Sequence, residues 1–323
     1  MTLNLFYQEP DPDRWVPLDR YPRRLVRRLL RGPLRPGGQK MVFLNLMKGL
    51  DRIGVPYRAN DFRHIRRHPD ELACVIGKPP LLFERPWANP ILFGAAVFDH
   101  PIDHPDLFET TTVQHVLVPG PWMEAMFRPY YGDRVTAWPV GIDTEAWAPT
   151  PDPKETDVLL YVKTLWDKDA RERDLVAPIR RALSARGLSV RELRYGSYQP
   201  DDLADALRQC RAAVFLCEHE TQGIAYQQML SSGVPLLAWD REGPWLDPNY
   251  YPARVAFEPA SSVPYWDDRC GLRFQDAAAF PDALDAFWDG VQAGRFAPRD
   301  YVLETLTLER CAQDYVEVAR SLA

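Results

Sequence analysis

The sequence predicts an α/β protein of two doubly wound domains, each built on a parallel sheet. The chain has 323 residues, which is more than a single core comfortably accommodates. Short apolar runs alternate with amphipathic helical stretches in both halves, as expected of parallel sheets. Residues 138–157, crowded with proline, aspartate and threonine, separate the two halves and are the best candidate linker.

In the first half, one helix and five strands are predicted. Apolar residues recur at helical spacing between Gly37-Gly38 and Gly54, which predicts a helix there. The strands are short apolar runs bounded by turn residues: LNLFYQ, PYRAND, ACVIG, PILFGAAVF and HVLVPG.

The second half repeats the alternation without repeating the sequence. Its predicted strands are DVLLYV, VRELRYG, AAVFLC and VPLLAWD, and its helices are 169–186, 200–209 and 223–232. A last helix from Tyr301 to Leu322 carries an apolar stripe that must pack on another surface. We therefore expect an N-terminal domain (1–147), a C-terminal domain (148–300), and a terminal helix (301–323) that packs back on the first domain.

Composition narrows the class of protein. Hydrophobic residues make up 46% and charged residues 26% of the chain, and no apolar run approaches the roughly 20 residues that span a bilayer. The start, MTLNLFYQEP, shows no secretory signal, so we expect a cytoplasmic protein. A net charge of −6 argues against nucleic-acid binding. Five cysteines match no zinc motif or disulfide framework, which favours buried thiols.

The segment 20–35 is basic. It holds seven arginines and no acid, with Leu25, Val26, Leu29 and Leu30 on one helical face. Such a helix can lie on an anionic membrane surface, or it can bind an acidic acceptor. Alternatively, its leucines pack on the N-terminal domain while its arginines stay in solvent.

Four signals, in order along the chain, carry a resemblance. They are Gly37-Gly38 at a helix start, Val140-Gly141-Ile142-Asp143-Thr144 at the linker, Lys163 with Lys168 after a strand, and Glu220-Thr-Gln-Gly223 followed by Gln228 and Gly233-Val-Pro235. From about Gly37 to about residue 290 the chain resembles the retaining glycosyltransferases of family GT4. In that family the last signal is Glu, seven residues, Glu, and here Gln228 replaces the second Glu.

The resemblance implies the GT-B fold, two Rossmann-like domains facing across a cleft, and a nucleotide-diphosphate sugar as donor. Lys163 and Lys168 would neutralise the diphosphate, because leaving-group charge needs fixed cations in a water-poor site. Glu220 would orient the sugar by accepting hydrogen bonds from its hydroxyls. Four further regions complete the implied site: the glycine-rich loop with Gly37 and Gly38, the base-binding loop Tyr195-Gly196-Ser197-Tyr198, the helix start at Gln222, Gly223 and Ile224, and Gln228 at the ribose.

Several of these residues have structural alternatives. Glu218 and His219 neighbour Glu220, and Gly223, three residues later, is what selects Glu220. His100 matches the family's cleft histidine, but a capping or surface histidine is an open alternative. The aromatic residues Tyr250, Tyr251, Tyr265 and Trp266 can stack on a base or sugar, but such residues more often belong to a core.

We therefore expect a retaining transferase that acts on a glycan, a lipid-linked sugar or a small acceptor, with no cofactor, metal or nucleic acid. Retention requires a covalent intermediate or front-face departure, and the front-face route is favoured. The alternative is a catalytically weak sugar-nucleotide-binding pseudoenzyme or scaffold, as Gln228 and Val140 suggest.

Overall fold

The computed structural model describes residues 1–9, 15–16, 19, 21–23, 26 and 37–323. The predicted basic helix 20–35 lies outside the described residues except at 21–23 and 26. Of its arginines, Arg23 is described: it pairs with Asp19 at 3.3 Å and its guanidinium lies 5.7 Å from the centre of the Trp15 ring. Among the described residues, no helix has the length and apolar character required to cross a membrane.

The chain forms two compact units. The first comprises Met1–Pro119, Phe127–Val140 and Cys311–Ala323, and the second comprises Gly120–Met126 and Gly141–Arg310. Each unit contains its own parallel sheet.

The first unit has a six-stranded sheet in the order β2-β1-β3-β4-β5-β6, with all neighbours parallel. Its strands are β1 (Leu3–Tyr7), β2 (Tyr57–Ala59), β3 (Ala73–Gly77), β4 (Ile91–Phe93), β5 (Val113–Val118) and β6 (Val135–Ala137). The helices in this part of the chain are α1 (Gly38–Arg52), α2 (Phe62–Arg67), α3 (Pro79–Phe83), α4 (Leu107–Thr110) and α5 (Pro121–Tyr131), with 3₁₀ turns at Pro101–Asp103 and Gly132–Arg134.

The second unit has a five-stranded parallel sheet in the order β11-β10-β9-β7-β8. Its strands are β7 (Thr156–Lys163), β8 (Val190–Arg194), β9 (Cys210–Cys217), β10 (Leu236–Trp239) and β11 (Gly271–Phe274). The helices that follow in the chain are α6 (Lys168–Arg171), which continues through a π turn at Glu172–Val176 into α7 (Ala177–Ala185), then α8 (Pro200–Gln209), α9 (Ile224–Ser231), α10 (Phe280–Gln292), α11 (Pro298–Thr305) and α12 (Leu308–Ser321).

Both faces of the second sheet are buried. Along β7, Leu159 and Tyr161 pack into one apolar cluster, while Val158 and Leu160 pack into the other. A strand covered on both faces needs apolar residues at every position, which is why DVLLYV shows no alternation.

The predicted strands and the doubly wound fold class are confirmed, and so are the buried thiols, since all five cysteines are free and buried. The stretch PILFGAAVF was expected to be a strand throughout, but β4 ends at Phe93. At Gly94 the backbone adopts a φ of 130°, and a Cβ there would collide with the backbone of Leu117. The edge strands β6 and β11, of three and four residues, were not predicted.

The predicted single terminal helix, Tyr301 to Leu322, is wrong: the structure has α11 and α12, separated at Leu306 and Thr307. At this break the backbone bonds to the linker instead of continuing the helix. The amide of Ile142 donates to the carbonyl of Leu306 at 2.8 Å, and Ile142 forms a parallel bridge with Thr307. The apolar stripe on α12 is buried, with Tyr315 fully covered.

Gly141, in the linker motif, is required by packing. A Cβ added to it would lie 2.5 Å from Cα of Leu308 and 2.6 Å from the carbonyl oxygen of Thr307. The glycine therefore permits the close approach that the Ile142–Thr307 bridge needs.

We predict that Gly141→Ala destabilises the protein by about 2 kcal/mol, because the methyl group forces two backbone segments apart. Gly243→Ala is the matched control, since its added Cβ would have nothing nearer than 3.9 Å, and its effect should stay below about 1 kcal/mol. Chemical denaturation of the two variants measures the difference, and equal stabilities would contradict this account of the motif.

Candidate functional site

The second sheet reverses its strand order between β7 and β9. From β7 the chain moves outward to β8, and it then returns to the other side of β7 to form β9. In open parallel sheets, ligands bind outside the carboxyl ends of the strands at such a point. Lys163 is the last residue of β7, and Glu220 lies three residues beyond the end of β9.

Lys163 and Glu220 form a buried ion pair at this point. Nζ of Lys163 lies 2.6 Å from Oε1 of Glu220, and their side chains are 16% and 10% exposed. Burial alone would lower the pKa of Lys163, but attraction to Glu220 outweighs it and the pKa is raised. The Tyr195 ring, whose centre is 4.8 Å from Nζ, adds cation–π stabilisation. Lys163 is therefore cationic at neutral pH.

The backbone of Glu220 is fixed on both sides. The indole of Trp122 donates to the Glu220 carbonyl at 2.7 Å, and the Glu220 amide donates to the carbonyl of Ser261 at 3.0 Å. The Ser261 hydroxyl donates in turn to Oδ2 of Asp240 at 2.9 Å. These bonds fix the backbone from which the Glu220 side chain extends, and such support is what a preorganised site requires.

Glu218 has a supporting position. Its side chain is 1% exposed and lies 3.6 Å from Nε of Arg171, while its Oε2 accepts from the amide of Leu165 at 2.9 Å. Glu218 therefore fastens the loop that follows β7. None of the three neighbours 218, 219 and 220 is exposed, so exposure does not distinguish them.

His219 sits among tryptophans. Its ring stacks on Trp166 at 5.1 Å and meets Trp122 edge-on at 5.6 Å, and its Nε2 lies 3.2 Å from the Trp245 indole nitrogen. Because an indole N–H can only donate, Nε2 accepts and the proton is on Nδ1. Burial, with repulsion from Lys163, lowers the pKa of His219 to about 4. The ring is neutral at physiological pH.

Two arginines add positive charge beyond the predicted lysines. The guanidinium groups of Arg171 and Arg241 lie 5.4 and 5.6 Å from the centre of the Trp239 ring. Burial and repulsion from Arg171 lower the pKa of Arg241. The sequence analysis missed both. The signal for Arg241 was its place two residues beyond the end of β10.

Lys168 is not part of the pair. It is exposed at the first residue of α6, after the chain has turned through Asp167 in the left-handed region, φ 47°. The structure brings Lys163 and Glu220 together, with Nζ and Oε1 2.6 Å apart. A diphosphate role for Lys168 stays a prediction.

The helix start at 222–224 is shaped by packing. Gly223 precedes α9 with φ 76°, and a Cβ there would collide with the ring of Tyr226. Gln222 is buried and donates to Oε1 of Gln227 at 3.3 Å, whereas Ile224 and Gln228 are half-buried on α9. The glycine is thus required with or without a ligand, and the ligand roles of these residues stay predictions.

The loop after β8 is largely open. Tyr195 is 57% exposed, Gly196 and Ser197 are exposed, and Tyr198 is half-buried with its hydroxyl 2.9 Å from that of Tyr161. The amide of Tyr195 donates to the carbonyl of Val162 at 2.8 Å, so the loop begins beside the end of β7. Its flat exposed ring is available for stacking.

The remaining predicted residues lie in the first unit. Gly37 and Gly38 are exposed at the start of α1, and an added Cβ at either would have no described atom within 4 Å. His100 is buried, and its Nδ1 accepts from the amide of Ile102 at 3.0 Å, which caps a 3₁₀ turn. His100 therefore caps the turn, as the structural alternative expected, and a role of His100 toward an acceptor stays a prediction.

Solved structures share this architecture. The lipopolysaccharide outer core galactosyltransferase WaaB matches with a TM-score of 0.53 and 11% identity over 99% of both chains. WaaG, a glycosyltransferase involved in lipopolysaccharide biosynthesis, matches with a TM-score of 0.54 and 12% identity over 88% of this chain and 97% of its own. A chain of the GtfA/B complex matches with a TM-score of 0.53 and 14% identity over 80% of this chain.

The protein spans only 59% of that GtfA/B chain. No family model matches the sequence, and no curated protein matches it. The two parallel-sheet domains and these neighbours establish the GT-B fold.

We predict that His219 makes stability pH-dependent. Because its folded pKa is lowered from 6.5 to about 4, its contribution is present above pH 6.5 and is lost as the pH falls toward 4. The loss approaches about 3 kcal/mol at most. His219→Gln, which keeps an acceptor for Trp245, should flatten the dependence in denaturation curves between these pH values.

His115→Gln is the control, because His115 hydrogen-bonds Thr136 outside this site. A slope that flattens in His219→Gln but not in His115→Gln assigns the effect to His219. A His219→Gln protein with the wild-type slope would show that His219 does not resist protonation.

Proposed function

We propose that this protein is a retaining glycosyltransferase that takes a sugar from a nucleotide-diphosphate donor without a metal ion. The observation that carries the proposal is the buried Lys163–Glu220 pair at the strand-order reversal of the second sheet. It joins a fixed cation, suited to a phosphate, to a fixed carboxylate, suited to sugar hydroxyls. The GT-B fold, shared with WaaB and WaaG, supports the same conclusion.

Lys163 would stabilise the leaving nucleotide diphosphate. Charge grows on the β-phosphate as the sugar departs, and a preorganised cation in a site that excludes water stabilises that charge strongly. The raised pKa of Lys163 keeps the ammonium protonated throughout. Arg171 and Arg241 extend the positive charge along the same sheet edge.

Glu220 would orient the donor sugar. An ionised carboxylate only accepts hydrogen bonds, so it selects hydroxyl donors. Its fixed backbone, held by Trp122 and Ser261, sets the direction of those bonds. Before the donor binds, the Lys163 ammonium group forms an ion pair with the Glu220 carboxylate and holds it in position.

Retention is best explained by front-face departure, in which the leaving phosphate takes the acceptor proton. The nearby Glu218 carboxylate is engaged with Leu165 and Arg171, so it is poorly placed to act as a nucleophile. The acceptor class we propose is a glycan, a lipid-linked sugar or a small molecule. A cytoplasmic location and peripheral membrane contact through residues 20–35 remain predictions.

A sugar-nucleotide-binding scaffold is the second candidate. Gln228 stands where the resemblance expects a carboxylate for the ribose, and it is half-buried on α9. Its amide oxygen can accept the ribose hydroxyls, although without charge. Both candidates would bind nucleotide, so turnover distinguishes them.

We predict that Lys163→Ala weakens nucleotide-diphosphate binding and lowers turnover together, because its charge acts on the bound diphosphate and more strongly on the departing one. A thermal-shift panel of UDP, GDP, ADP and dTDP sugars first identifies the donor. Calorimetry then gives affinity, and a transfer assay gives turnover. Arg181→Ala is the control, since Arg181 is exposed on α7, and it should match wild type in both.

We predict that Glu220→Gln lowers turnover without weakening nucleotide-diphosphate binding. This variant keeps the side-chain shape and frees Lys163 from its partner, so affinity for the bare nucleotide diphosphate should be unchanged or tighter. Turnover should fall on the order of 100-fold, as on losing one preorganised group. Undiminished turnover would mean that Glu220 does not orient the donor sugar. A wild-type protein that binds donors without turning them over would favour the scaffold.

A further inference from the structure

Three side chains with metal-binding chemistry lie close together in the first unit. Ligand atoms of His64, His68 and Glu71 all lie within 4.8 Å of one another. His64 is on α2 and His68 ends it, so their spacing of four places both rings on one helix face. Glu71 follows in the turn that leads into β3.

A backbone carbonyl sets the tautomer of His68. Nδ1 of His68 lies 2.8 Å from the carbonyl oxygen of His64. Because a carbonyl only accepts, Nδ1 carries the proton and Nε2 keeps its lone pair. The two rings stack nearly parallel with centres 4.0 Å apart, so one ring has to rotate before both lone pairs point at one ion. A backbone carbonyl on the remote ring nitrogen is the usual support of a metal-bound histidine.

The carboxylate is oriented as well. The amide of Asn4, a residue 2% exposed on β1, donates to Oε2 of Glu71 at 2.9 Å. This buried donor fixes the carboxylate, whose Oε2 also lies 2.9 Å from Nε2 of His64. The carboxylate is therefore held beside the two imidazoles.

The atomic spacing also fits a metal ion. Nε2 of His64 lies 2.9 Å from Oε2 of Glu71, and a proton now joins them. Two atoms bound to one tetrahedral zinc ion at about 2.0 Å lie roughly 3.3 Å apart. A small outward movement of one side chain lets a metal ion replace that proton.

We propose that His64, His68 and Glu71 form a Zn²⁺ site, with water in the remaining position. Two imidazoles and one carboxylate suit zinc, whereas calcium and magnesium require more oxygen ligands. The ion would join the end of α2 to the turn before β3, next to the start of β1. This proposal concerns the first unit and is independent of the proposed transferase chemistry.

The test is zinc binding to the purified full chain. Titration calorimetry with Zn²⁺ should give one ion per chain, and the ion should raise the melting temperature of the wild type. Glu71→Gln and His68→Gln should each weaken binding at least about 10-fold and remove the thermal shift. His68 is exposed, so its replacement preserves the fold. Circular dichroism of each variant verifies this.

His115→Gln is the matched control. His115 is a half-buried histidine of the same unit that bonds Thr136 instead, and its variant should bind zinc like the wild type. The buried cysteines offer no competing surface ligands. Absence of one-to-one binding, or wild-type affinity in both cluster variants, would overturn the proposal. So would an equal loss in His115→Gln.

Discussion

The ion pair between Lys163 and Glu220 is the interaction on which the candidate site depends. Removing two charges from water costs several kcal/mol, which attraction repays only when the geometry is well supported. Here the support comes from the sheet: β7 and β9 are neighbours, so their carboxyl ends bring the two residues together. Trp122 and Ser261 then fix the Glu220 backbone. Strand order, rather than local sequence, creates the pair.

Opposite charges surround this pair in balance. Lys163, Arg171 and Arg241 contribute three cations near the carboxyl ends of β7 and β10, and the buried carboxylates of Glu218, Glu220 and Asp240 oppose them. His219, next in sequence to both Glu218 and Glu220, adds no charge because burial keeps its ring neutral. Its low pKa thus limits the positive charge of the site to side chains that cannot lose a proton at neutral pH.

Sequence reasoning succeeded where the signal is local. Periodicity predicted the strands, and the rule that ligands bind at the carboxyl ends of strands singled out Lys163 and Glu220, which the structure places in contact while their ligand roles stay predictions. Sequence reasoning did not predict the left-handed turn at Asp167 that precedes Lys168. It also missed the break between α11 and α12, which depends on Ile142 pairing with residues more than 160 positions later.

The glycines show how a motif should be interpreted. Gly141 and Gly223 belong to motifs of the resemblance, yet the backbone of Leu308 and the ring of Tyr226 already exclude a Cβ at these positions. Their presence therefore carries little information about a ligand. At Gly37 and Gly38, by contrast, no described atom lies within 4 Å of an added Cβ. Packing within the described chain does not explain these two glycines, and their place in a ligand-binding, glycine-rich loop stays a prediction.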